Sequence, residues 1–189
     1  PPLDFLPSQH GFRFENKFAG SPLPFTVAAM PGLNKVSAYY GLCGGMASAA
    51  YDFFLAGMDI PDADKDSAIP VPGKRTNMHR FLFKRLIDSF GFGIPLLKLA
   101  KWMTMELDGE LGNYRRTFDE FENGVDGDRS IRERLDAREA VQLALLYKKG
   151  KTGQEVLEKI WDNHQVLATG YNRLPDGTLE IRIYDPNYP

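Results

Sequence analysis

Cysteine is almost absent from this chain: Cys43 is the only one in 189 residues. A lone cysteine closes no internal disulfide and rules out Cys-rich zinc sites. The three histidines, His10, His79 and His164, lie far apart and show no HxxxH-like spacing. No metal and no cofactor is therefore implied. No apolar run approaches the ~20 residues of a membrane-spanning helix, so no membrane insertion is expected. The opening PPLDFLPSQH has neither a charged leader nor an apolar segment behind it, so no signal peptide is read. An excess of one charge is missing too. The net charge of −2 gives no basic footprint, and nucleic acid is not an expected partner. Walker-type loops, G-x-S-x-G elbows and H-E-x-x-H helices do not occur.

What is present is ordinary globular material, 43% hydrophobic and 25% charged. The length suits one well-cored domain spanning residues 1–189. Residues 1–35 are rich in Pro, Gly and Phe and read as an irregular lead-in with one short strand, PFTVAAM. GMASAAYDFFLAG then sets Met46, Ala49, Ala50, Phe53 and Phe54 on one helical stripe, with Gly57 as its stop. TNMHRFLFKRLIDSFG predicts a second helix, capped by Thr76 or Asn77, with Met78, Phe81, Leu82, Leu86 and Phe90 inward. IPLLKLAKWMTMELDGE predicts a third. SIRERLDAREA reads as short helix or irregular chain, VQLALLYKKG as a buried strand and GQEVLEKIW as a short helix or loop. NHQVLATGYNRLPDGTLEIRIYDPNYP is two β runs around the turn LPDG. Helices first and strands last make an α+β domain.

Asp62, Asp64 and Asp66 occupy positions 1, 3 and 5 of a calcium-type loop. The Gly needed at position 6 is Ser67, and the Glu needed at position 12 is Gly73. DGDRS fails in the same way, and both stretches read as solvated loops.

Cys43 falls where the first helix should begin. A helix N-terminus favours a thiolate and points free N–H groups at a developing oxyanion. The neighbours Gly41, Gly44 and Gly45 would let a substrate backbone approach. The plain alternative is a small apolar residue filling a tight corner. The C-terminal hairpin bears on the choice. If Asn172 lies opposite Gly177, His164 faces Asp185. If Arg173 lies opposite Thr178, His164 faces Asn187. Either register sets a polar partner beside the imidazole, since Asp185 and Asn187 share a face. A two-residue DG turn would draw Asp185 out of line. One Cys at a helix start and one His on a distant strand with a polar partner is the pattern expected of a cysteine hydrolase.

GLCGGM resembles the Gly-x-Cys-Gly-[Ser/Gly] nucleophile motif of papain-like cysteine peptidases. NHQVLATGY is similar to their His strand, and more closely to the H-x-V-L-x-x-Y strand of bacterial bacteriocin-processing-type (C39-like) peptidases. YDPN resembles the Asp-Pro that supplies their third residue. The resemblance runs over residues 41–187 in the order Cys, His, Asp/Asn. It implies a papain-like α+β fold, with an N-terminal helical half bearing the Cys helix and a C-terminal antiparallel sheet bearing His and Asp/Asn. Under the resemblance the chain ends close after the third site residue, so a following strand would lie beyond it. It also implies a thiol peptidase acting on a peptide or amide substrate. Cys43 would be nucleophile, His164 general base and acid, and Asp185 the orienting group, with Asn187 the alternative. The Cys43 backbone N–H would form half of the oxyanion hole. The family's Gln six residues before the Cys is here Ser37, leaving Asn34, Ser37 or Tyr40 as the other donor. Losing such a donor costs about 10²–10³ in rate. A papain-like domain that binds peptide without turnover is therefore the alternative function. Amidase, deamidase and transglutaminase chemistry would use the same site. Nothing in the sequence sets an oligomeric state.

Overall fold

The structure, a computed structural model, describes residues 3–19, 39–61, 76–89, 109–124, 128–147 and 163–188. In chain order its elements are α1 (Pro7–His10), β1 (Phe18–Ala19), β2 (Tyr39–Tyr40), α2 (Cys43–Leu55) and α3 (Asn77–Ser89). They continue with α4 (Gly109–Asn123), α5 (Ile131–Asp136), β3 (Val141–Leu145), β4 (His164–Arg173) and β5 (Leu179–Tyr184). The arrangement is α+β. β3, β4 and β5 form an antiparallel sheet with β4 in the middle, and β1 pairs with β2 in a separate ribbon. Among the described residues no helix is long and apolar enough to cross a membrane.

Side chains alternate across a strand, so β4 serves two cores. Leu167 packs with Met46, Ala50, Leu82 and Leu86 of α2 and α3. Ala168, one residue on, packs with Phe121 of α4 and Leu135 of α5. The sheet is thus covered by helices on both faces. α4 is an element the sequence reading missed. Among its described side chains Phe121 is fully buried, edge-on to Tyr171 at 5.0 Å. Arg–Glu pairs such as Arg116–Glu120 at 2.9 Å cover its wet side. α5 opens with a capping box: Ser130 Oγ accepts the Glu133 N–H, and a Glu133 carboxylate oxygen accepts the Ser130 N–H.

α2 follows its sequence pattern. Met46, Ala49 and Ala50 are fully buried, and Phe53 and Phe54 pack against the same core. Gly57 ends the helix in the left-handed region, φ 63°. The Gly57 and Met58 N–H groups reach back to the Phe54 and Phe53 carbonyls, a Schellman closure. α3 is capped by Thr76, whose hydroxyl accepts the His79 N–H at 3.1 Å. Its inward face carries the fully buried His79 besides Leu82 and Leu86, a burial that apolar periodicity does not signal. Phe90, the strand at 24–30 and the 153–161 segment lie outside the described residues, as does the helix read over 94–110 except for its last two positions, which open α4. β3 is shorter than the stretch 141–150 because its partner strand begins at His164, paired with Leu145.

Next to its loop the hairpin follows neither register weighed from sequence. Arg173 pairs with Leu179, and the Gly177 N–H returns to the Leu174 carbonyl with Gly177 at φ 88°. A Pro-Asp-Gly loop of this form is set by Pro's fixed φ and Gly's left-handed freedom. A bulge between Ala168 and Gly170 then recovers one residue, and Leu167 faces Tyr184. The register at the β4 start therefore equals the one that sets Arg173 against Thr178. The extra residue also turns Tyr171 onto the face of Ala168. The bulged Thr169 carbonyl is taken by the Leu3 N–H at 3.3 Å. Tyr184 is fully buried and accepts the Phe12 N–H at 3.0 Å. Burial pushes its phenol up to about 12.

Gly45 sets the distance between α2 and α3. A Cβ there would stand 2.0 Å from the Leu82 carbonyl oxygen and 3.1 Å from the Leu86 nitrogen. Both are backbone atoms, which cannot rotate away. Gly45→Ala is expected to destabilise the fold by about 1–3 kcal/mol in denaturant unfolding, although alanine is the better helix former. A stabilised variant would contradict this close crossing.

Candidate active site

Cys43 is the first residue of α2. The N-cap, Leu42, has no side chain able to cap, so the first turn keeps free N–H groups. Two of them, those of Gly44 and Cys43 itself, act on the thiol, together with the Gln165 N–H of β4. The Gln165 N–H donates to Sγ at 3.3 Å. This contact lodges the helix start against the start of β4, beside His164. His164 Nε2 lies 2.6 Å from Asp185 Oδ1, and both side chains are largely shielded, at 9% and 19% exposure.

The structure brings Asp185, and not Asn187, to the imidazole. β5 ends at Tyr184, so Asp185 has left the ladder. It then folds back on itself: Oδ1 also accepts the Asn187 N–H at 2.8 Å, an Asx turn across Pro186. The carboxylate is consequently diagonal to His164 and within bonding reach, while the position formally opposite falls at Asn187. The Asn187 side chain is engaged elsewhere, its Oδ1 accepting from Asn16 Nδ2 at 3.1 Å. An ionised carboxylate only accepts, so Nε2 is the donor and Nδ1 is the acceptor of the neutral ring.

The glycines have a different role from the one expected. A Cβ on Gly44 would lie 1.7 Å from Gln165 Oε1 and 2.9 Å from Leu86 Cδ1. The space beside Gly44 is therefore filled by the Gln165 amide, just as α3 fills the space beside Gly45. These two glycines let protein, not substrate, come close. Gln142 of β3 fastens the same turn of helix, donating to the Gly44 carbonyl at 3.0 Å and accepting from Ser48 at 2.8 Å.

Of the expected second oxyanion donors, Asn34 and Ser37 lie outside the described residues. Tyr40 is buried with its hydroxyl hydrogen-bonded to His79 Nε2 in the core, which takes that hydroxyl out of the donor set. The acidic loop from Asp62 lies outside the described residues too. Among the described residues no group of three or more His, Cys, Asp or Glu is placed to hold a metal. The sequence reading missed Asn16, Gln142 and Gln165. A lone Asn in FENKF and two Gln on strands carry no spacing signal that would have singled them out.

No protein-family model matches the chain, nor does any curated protein or solved structure.

Burial pushes the Cys43 thiol above its ordinary value of 9.0. The N–H groups of Gln165, Gly44 and Cys43 pull it back, and the Asp185 charge adds a further push upward. The folded value thus exceeds the unfolded one. The thiol's contribution to stability is complete below pH 9.0 and is lost as pH rises through the folded value. With one cysteine, iodoacetamide labelling read by intact mass reports this group alone. The thiolate limb of the native rate–pH profile is expected above that of the denatured chain. A native limb at or below the denatured one would show that the N–H donors outweigh burial.

Proposed function

We propose that this chain is a single papain-like domain, similar to bacterial bacteriocin-processing-type peptidases, that hydrolyses peptide or amide bonds through Cys43, His164 and Asp185. The observation that carries the reading is the 2.6 Å His164–Asp185 bond on the residue next to the one whose N–H meets the Cys43 sulfur. Asp185 holds Nε2 and leaves Nδ1 as the base. As Sγ attacks the carbonyl carbon, its proton passes to Nδ1 and an S–C bond forms. The oxyanion is met by the Cys43 N–H at the helix start, with Asn34 or Ser37 as the source of a second donor. The imidazolium then protonates the leaving amine and the C–N bond breaks. Water attacks the thioester with Nδ1 again as base, releasing acid and thiol. No metal or cofactor takes part in this scheme.

The buried thiol and the Ser at position 37 favour a second reading, a papain-like domain that binds a peptide without turnover. Amidase, deamidase or transglutaminase-type acyl transfer would draw on the same three residues with a different amine or acceptor. An activated acyl ester separates turnover from binding, because it forms a thioester with any competent Cys-His pair. Wild type is expected to show a burst and then turnover on such an ester, and hydrolysis on a peptide and amide panel. Cys43→Ala should abolish both, and His164→Ala should lower the rate by about 10²–10⁴. Equal behaviour of wild type and Cys43→Ala would eliminate the hydrolase.

A further inference from the structure

Asn16 lies between the buried Phe14 and Phe18 and sends its polar groups to two distant parts of the chain. Its N–H donates to the Pro186 carbonyl at 3.2 Å. Its Oδ1 accepts the N–H of Leu42, the N-cap immediately before Cys43. Because Oδ1 is committed to that donor, Nδ2 faces the other way, onto Asn187 Oδ1 at 3.1 Å. The Asn187 N–H in turn meets the same Asp185 oxygen that holds His164. A continuous set of hydrogen bonds therefore runs from Leu42 through Asn16 and Asn187 to Asp185 and His164. Gly41 makes room for it, since a Cβ there would stand 2.7 Å from Asn16 Nδ2.

The linkage matters because residues 185–187 lie past the end of β5, where the sheet ladder no longer holds them. Within that segment the Asx turn and the Tyr188 N–H on the Asp185 carbonyl fix the local shape. They do not fix its distance from the Cys43 helix. Asn16 is bonded to both sides at once.

We propose that Asn16 is a positioning residue that ties the N-cap of the Cys43 helix to the 185–187 turn and so sets the Asp185–His164 pair relative to the sulfur. The proposal rests on the thiol hydrolase reading above. Misplacing a reacting group by about 1 Å costs on the order of 10² in rate, so a clamp of this kind acts on rate more than on folding.

Iodoacetamide labelling of Cys43 in the full chain, followed against pH, tests the proposal without a known substrate. The native profile should show a neutral-pH shoulder, where His164 takes the thiol proton, below the alkaline thiolate limb. His164→Ala should remove the shoulder, lowering the rate at pH 7 by about 100-fold. Asn16→Ala and Asn187→Ala should each lower it by roughly 10-fold and displace the shoulder, leaving the thiolate limb in place. The double variant should be no slower than the slower single, because both act through one contact. If the shoulder survives intact in Asn16→Ala and Asn187→Ala but is lost in His164→Ala, or if the two losses multiply, the positioning role is overturned and the hydrolase reading stands. If His164→Ala matches wild type, the hydrolase reading itself falls. Should Asn16→Ala fail to fold, the exposed Asn187→Ala decides the matter alone.

Discussion

The close seating of the α2 start against β4 and α3 is the constraint on which the rest of the arrangement depends. Two consecutive residues without side chains make it possible. Gly44 receives the Gln165 amide, and Gly45 receives the Leu82 carbonyl. Only at that separation does the Gln165 N–H reach the Cys43 sulfur. The cost is a thiol taken out of water. Burial opposes its ionisation more than three backbone donors favour it. A site built this way works best when the proton leaves the sulfur during attack, toward a base already oriented, and not beforehand into solvent.

Orientation of that base is the work of the hairpin's irregularities. The Pro-Asp-Gly loop shifts the strands by one residue, and the bulge at Thr169 shifts them back. The strand beyond then ends, and the Asx turn of Asp185 bends the carboxylate onto His164. A regular ladder carried to its end would have set Asn187 opposite the imidazole instead. The polar link through Asn16 anchors this departing segment to the helix that carries the cysteine.

Much of this was legible in the sequence wherever a single element writes its own pattern. The α2 stripe of Met46, Ala49 and Ala50, the Gly57 stop and the Thr76 cap depend on local geometry and appear as expected. Alternation along two strands narrowed the imidazole's partner to Asp185 or Asn187 but could not choose between them, because the Asx turn that brings in Asp185 lies beyond the ladder. What depends on long-range packing was not legible. α4 is a different case: Leu111, Tyr114, Phe118 and Phe121 recur at i, i+3, i+7 and i+10, a helical stripe that was present in the sequence and went unread. The bulge's one local signal is Gly170 within the strand, which does not by itself say which way the register shifts. The glycines beside Cys43 signalled close approach correctly, but not that a glutamine side chain and a helix backbone would be what approached. Asn16 lies 27 positions before Cys43 and is tied to it only by the fold.

The central claim is that Asp185 commits His164 Nε2 as a donor and so leaves Nδ1 as the base for the Cys43 thiol. Nitrogen-15 NMR of the His164 ring tests it most directly, because the two ring nitrogens report their protonation separately. The account predicts, for the neutral ring, a protonated Nε2 and a bare Nδ1 whose resonance moves when Cys43 is alkylated. A neutral ring with the proton on Nδ1 would contradict it.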